Sequence, residues 1–151
     1  MDKLEVLRKC ELFRELNDEQ LSLVEKMCTS EVFEPGAIIC KQDRKENKIY
    51  VIEEGLVAII LEAGPLSQRQ VQAASNFEVV GWSALIEPYI STATAKAMEK
   101  TKVLVFDAHE LGHLFHTKPD IMYKVGSAVA CVVAKRLRYA YTQLLGVTSQ
   151  D

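Results

Sequence analysis

The stretch Lys48-Ile49-Tyr50-Val51-Ile52-Glu53-Glu54-Gly55-Leu56-Val57-Ala58-Ile59-Ile60-Leu61 decides the fold class. Residues 48–53 and 56–61 are strand-length apolar runs rich in Val and Ile, and Glu54-Gly55 between them has turn chemistry. Glu53-Glu54, just before the turn glycine, read as hairpin surface. Six more runs of this kind flank the pair, at residues 31–34, 37–41, 69–74, 78–80, 93–98 and 102–107. Pro35-Gly36, Gly64-Pro65 and Ser75-Asn76 punctuate them. Many short strands at close spacing imply a closed β-roll or jelly roll, not alternating βαβ units. One short helical piece, residues 82–86, interrupts the series.

Outside this mainly β region the period is helical. Leu4, Leu7 and Cys10 recur at helical spacing. Asn17 followed by Gln20 forms a capping box, and Leu16 and Leu21 form its hydrophobic staple, so a helix is predicted over residues 18–28. After Asp107 a short helix is predicted over 108–115. A long one comes next, from Pro119, a residue suited to a helix start, to about residue 145, where Gly146 can end it. At 1.5 Å per residue this helix is about 39 Å long. Gly126, Ala130, Val133, Leu137, Ala140 and Leu144 form a coiled-coil-type seam along it, and Val125, Val129 and Val132 a second apolar strip. One strip can pack on the roll and the other on a second copy, so a homodimer through this helix is expected. The alternative is that both strips pack within one subunit. The chain reads as a single domain over 1–151: N-terminal helices to residue 30, the roll from 31 to 107, and the helices from 108 to 145.

The 151 residues are nearly half apolar and carry a formal charge of −3. That balance leaves no electrostatic footprint for nucleic acid or an anionic membrane. No apolar run approaches the ~20 residues of a membrane span, and the N-terminus lacks the basic and apolar regions of a secretory signal, so a cytoplasmic protein without a membrane partner is expected. Cys10, Cys28, Cys40 and Cys131 are widely spaced with no C-x-x-C, which predicts reduced, mostly buried thiols, with a redox-sensing role as the alternative. His109, His113 and His116 share one helical face, opposite Leu111, Leu114 and Phe115, and are expected to face water without a metal. Lys135, Arg136 and Arg138 read as a solvated face near the C-terminal end of the helix dipole. No catalytic motif is present, so no enzymatic activity is expected.

Specific residues add a resemblance. Leu12-Phe13 with Leu16, Pro35-Gly36-Ala37-Ile38-Ile39, and Tyr50 through Val57 resemble ordered motifs of the cyclic-nucleotide-binding domain family, the effector domain of cyclic-AMP-receptor-type proteins. Gly81-Trp82-Ser83-Ala84-Leu85, Pro88 and Ala93-Thr94-Ala95-Lys96-Ala97 resemble its phosphate-binding cassette and the strand after it. The resemblance runs from Leu12 to Leu145. It implies a regulatory module in which backbone N–H groups, favoured by the positive end of the short helix near Trp82, hold a cyclic phosphodiester. It also implies a glutamate on the ribose hydroxyl, an arginine on the phosphate, and a residue of the long helix, Tyr139 or Tyr141, closing over the ligand.

The chain departs from the family at the decisive positions. Trp82 stands where the glutamate would be and Ser91 where the arginine would be; Thr92 keeps a hydroxyl, while Tyr89 and Ile90 supply no charge. Phe77 stands where the family often has glycine, and its bulk is expected to reshape the pocket mouth. Losing a charge-assisted partner costs about 1.5–3 kcal/mol, so high affinity for cyclic AMP or cyclic GMP is not expected. No cofactor is called for; the expected occupant is a cyclic nucleotide or another small anionic ligand. Its expected contacts are Gly81, Trp82, Ser83, Ala84, Leu85, Ser91, Thr92, Tyr139 and Tyr141. Trp82 either stacks on the ligand or plugs the pocket as core. In the latter case the chain is a ligand-free domain for dimerisation or a protein partner. Regulators of this type add a helix-turn-helix region after the long helix. The sequence reaches Asp151 without a recognition helix, so direct sequence-specific DNA binding is not expected.

Overall fold

The computed structural model describes residues 1–146. Eight strands form two antiparallel sheets. The first comprises β1 (Cys28–Phe33), β8 (Thr101–Asp107), β3 (Lys48–Glu54) and β6 (Val79–Val80), in that order. The second comprises β2 (Ile38–Cys40), β7 (Thr94–Ala97), β4 (Val57–Glu62) and β5 (Gln68–Ala74). Helices α1 (Lys3–Lys9), α2 (Asp18–Glu25), α3 (Ala108–Thr117) and α4 (Pro119–Leu144) complete the domain.

The central strands are buried on both faces, which explains their near-continuous apolar reading. Successive side chains alternate across a strand. Ile49 and Val51 of β3, with Leu104 and Phe106 of β8, pack against Phe13, Leu21, Leu111, Ile121 and Val125 of the helical layer. Tyr50, Ile52, Val103 and Val105 point the other way, into the space between the sheets, where they meet Ile39, Val57, Ala74 and Ala95.

The turn at Gly55 is a corner, not a hairpin: β3 and β4 lie in different sheets. Gly55 has φ +145, and a Cβ there would sit 2.4 Å from the Thr101 hydroxyl, so a side chain is excluded by contact as well as by conformation. The first strand also begins earlier than its sequence suggests. Thr29 and Ser30 lack alternating hydrophobicity, but pairing of Cys28 through Phe33 with Phe106 through Thr101 draws them into the sheet and ends α2 at Glu25.

The capping box forms as read. Asn17 accepts from the Gln20 N–H at 2.9 Å, and Gln20 Oε1 accepts from the Asn17 N–H at 3.0 Å. Gln20 also holds the long helix, donating to Asp120 at 2.6 Å and accepting from Lys124 at 3.0 Å. Gly146, at φ +67, ends α4. The sequence reading of the terminal residues up to Asp151 falls outside the described residues.

The two strips of α4 separate as their spacing suggests. Ile121, Val125, Val129 and Val132 are buried in the helical layer, whereas Gly126, Ala130 and Leu137 are exposed. Ala140 of the same seam is exposed and also borders the cavity of the roll. Among the described residues, no helix is long and apolar enough to cross a membrane.

Candidate functional site

Strand β6 delivers the chain to Gly81, whose φ of +86 turns it into the cassette. A Cβ at this position would lie 2.8 Å from the Lys48 carbonyl oxygen. Glycine is therefore required both by the left-handed backbone and by the approach of β3. The expected short helix is a single 3-10 turn, Trp82–Leu85. Four residues in that geometry carry little aligned dipole, so the anion-attracting helix end inferred from sequence is reduced to main-chain donors. The Ala84 N–H is bonded to the Gly81 carbonyl at 3.1 Å, while the N–H groups of Trp82 and Ser83 have no main-chain acceptor among the described residues.

This turn forms one wall of a cavity of about 200 Å³ inside the roll. Gly81, Trp82 and Ser83 face Ser91, Thr92 and Ala93 across it. Cys40, Ile59, Val71 and Ala95 supply an apolar lining, and Arg136 and Ala140 of α4 close the remaining side. Ligand pockets generally measure about 300–1,000 Å³, so the present cavity is smaller than that range.

The expected contact residues are divided by the structure. Gly81, Trp82, Ser83, Ser91 and Thr92 line the cavity. Ala84 is buried in the helical core and Leu85 packs against it, outside the lining. Tyr139 and Tyr141 are 51% and 56% exposed and are also outside it. Arg136 and Ala140, one turn apart on α4, border the cavity in their place. Trp82 takes part in both readings, packing against the helical core while bordering the cavity. Phe77 does not shape the mouth. It keeps a glycine-type φ of +72, and its ring packs against the helical core with Lys9 Nζ 5.3 Å from its centroid.

The hydroxyls are unequally available. Ser91 Oγ donates to the Ala93 carbonyl at 2.7 Å, and Thr94 Oγ1 donates to Glu62 at 2.8 Å while accepting from the Gln42 N–H. Thr92 is exposed. Cys40 is buried in the lining, where burial, and then the charge of Glu46, pushes its thiol far up from the ordinary range. Burial likewise pushes the Cys10 thiol up to about 12, so both are neutral thiols and poor nucleophiles. Only Cys131 is exposed. On α3, His109 Nε2 and His113 Nε2 approach to 3.3 Å. Among the described residues no three metal-ligating groups converge.

Arg136 is the residue that the reading of a solvated basic face missed. It is half-buried, and its guanidinium donates to the Val79 carbonyl at 3.1 Å and to Gln72 at 3.4 Å. Lys135 is also drawn in, lying 3.1 Å from Glu11 and 3.2 Å from Glu78, while Arg138 stays exposed. A signal was present: Arg136 continues the buried strip of Val125, Val129 and Val132 at helical spacing.

A two-sheet roll, a glycine-turned cassette and a cavity closed by a long helix define a class of small ligand-binding regulatory domains. The chain belongs to the cyclic nucleotide-binding domain family, whose model matches residues 30–118. A cyclic nucleotide-binding protein from Geobacter metallireducens has a similar structure, with 26% identity and a TM-score of 0.78 over 91% of this chain and 99% of that one. The catabolite activator protein of Thermus thermophilus shares the fold at 24% identity and a TM-score of 0.72, over 89% of this chain and 61% of that one. A Rhodopseudomonas palustris protein that carries a potassium-channel name is 24% identical over 135 residues. That match covers 89% of this chain but only 32% of the channel protein's length.

Proposed function

We propose that this chain is a regulatory module that takes a small anionic, nucleotide-like ligand into the roll and reports its presence through the position of α4. The observation that carries this reading is the cavity itself. The cassette residues Gly81 and Ser83 and the α4 residues Arg136 and Ala140 border the same cavity. An occupant that engages Arg136 biases the position of that helix, and differential affinity for two helix positions is what a ligand needs to act as a signal. No carboxylate lines the cavity among the described residues, so the family's ribose contact is lacking and affinity for cyclic AMP is weakened. A thermal-shift screen with cyclic mononucleotides, cyclic dinucleotides, linear nucleotides and anionic metabolites tests the reading. A ligand at 100 times its dissociation constant adds about 2.7 kcal/mol, a shift of several degrees. A flat response to the whole panel overturns it.

A second reading rests on the outer face of α4. Leu85, Ile86, Phe115, Met122, Ala130 and Leu137 line an apolar groove there. Exposed apolar surface of this extent on a long helix suits a second copy of the chain, with Gly126 and Ala130 allowing close helix approach. A dimer through this face is compatible with ligand sensing, and in a ligand-free module it would be the main function.

A further inference from the structure

Among the described residues lining the cavity, Arg136 is the only one with a formal charge. Among the described residues it has no carboxylate within 4.0 Å, and its side-chain hydrogen bonds go to neutral oxygens, those of Val79 and Gln72. The adjacent Lys135 shows the contrast, being held by two carboxylates. A half-buried guanidinium beside a largely apolar space without a counter-ion is costly to maintain, and an anion in that space would relieve the cost. On the opposite wall, Ser91 brings only a hydroxyl, already bonded to the Ala93 carbonyl.

We infer that Arg136 supplies the counter-charge for a monoanionic ligand of this cavity, so that the ligand's charge is bound by the helix rather than by the cassette. This rests on the reading of the cavity as a ligand site. The planar fork of a guanidinium suits a phosphodiester or a carboxylate, and engaging it draws on the same N–H groups that tie α4 to Val79 and Gln72. Ligand binding and release of the helix are thereby one exchange of hydrogen bonds. With no carboxylate in the lining, the 2′-hydroxyl has only neutral partners such as Gln72 and Thr92, so cyclic AMP gains little over its 2′-deoxy analogue.

The test is calorimetric titration of the full chain with cyclic AMP and 2′-deoxy cyclic AMP, using wild type, Arg136→Gln, Ser91→Arg and the double variant, each first shown to unfold cooperatively. Arg136→Gln is expected to weaken binding about 10- to 100-fold, and Ser91→Arg to restore it in the double variant by returning the charge from the other wall. Equal binding by wild type and Arg136→Gln overturns the inference but leaves the cavity reading intact. So does binding by Ser91→Arg when wild type does not bind. A marked preference for cyclic AMP over its deoxy analogue overturns the charge-only specificity. Binding by none of the four proteins overturns the inference, while the cavity reading falls only with a flat response to the whole anionic panel.

Discussion

The Arg136 guanidinium donates to the Val79 carbonyl at 3.1 Å, and the Glu11 carboxylate accepts from the Val79 N–H at 2.8 Å. Val79 belongs to the two-residue edge strand that leads into the cassette, so side chains from the α1–α2 connection and from α4 complete what the sheet leaves open. Glu11 also receives Lys135, joining the N-terminal segment, the cassette strand and α4 in one network. Replacing Glu11 by Ala removes the partner of a main-chain donor and of a lysine at once. The expected loss is about 1–3 kcal/mol of stability, read by urea denaturation. A change under a few tenths would show that water replaces the carboxylate without cost.

The same network makes stability depend on pH. Burial pushes the Glu78 carboxyl up, but the Ser75 N–H and Lys135 more than offset it, and its pKa lies below the ordinary range. A carboxylate held low stabilises the fold above its unfolded value, about 4.3, and that stability is lost as pH falls through the lowered folded value. Denaturation midpoints measured from pH 7 downward should therefore fall below about pH 4.5. Lys135→Met should show a shallower fall, because the pair that depresses Glu78 is gone. Identical slopes in the two proteins would dissociate Lys135 from the effect.

Gly81→Ala should damage the cassette more than any other one-methyl change in the lining. A positive φ costs an L-residue about 1–2 kcal/mol, and the new methyl would meet the Lys48 carbonyl at 2.8 Å. A loss of about 2 kcal/mol or more is expected in chemical denaturation. A neutral substitution would mean that β3 and the cassette can separate freely.

The apolar outer face of α4 predicts self-association. Sedimentation equilibrium should show a dimer for wild type and a monomer for Ala130→Glu, since a carboxylate at a close helix crossing is desolvated without a partner. A wild-type monomer at tens of micromolar would remove the second copy as the occupant of this groove.

The roll was legible because β3 and β8 are covered on both faces and so present unbroken apolar runs. The cap at Asn17 was legible because both of its partners lie within one helical turn. The start of β1 was not, since Thr29 and Ser30 owe their strand state to β8, about 75 residues away in sequence by the Ser30–Leu104 pairing. The site divided along the same line. Local features of the cassette, such as the glycine at residue 81, were readable. The contribution of α4 depended on helix rotation: one residue of error in phase exchanges Ala140 for Tyr139 or Tyr141. Arg136 was misread because a charged residue ordinarily signals solvent.

Trp82 is the chain's single tryptophan and it borders the cavity, so its fluorescence is a built-in reporter of occupancy. The most direct test is to titrate the protein with cyclic AMP and the anionic panel while following that emission, with Trp82→Phe as the blank. A saturable change in intensity or wavelength is expected for at least one anion, weakened in Arg136→Gln. Emission that stays constant to millimolar concentrations of every ligand would contradict a ligand-sensing role, and would leave the apolar face of α4 as the working surface of the domain.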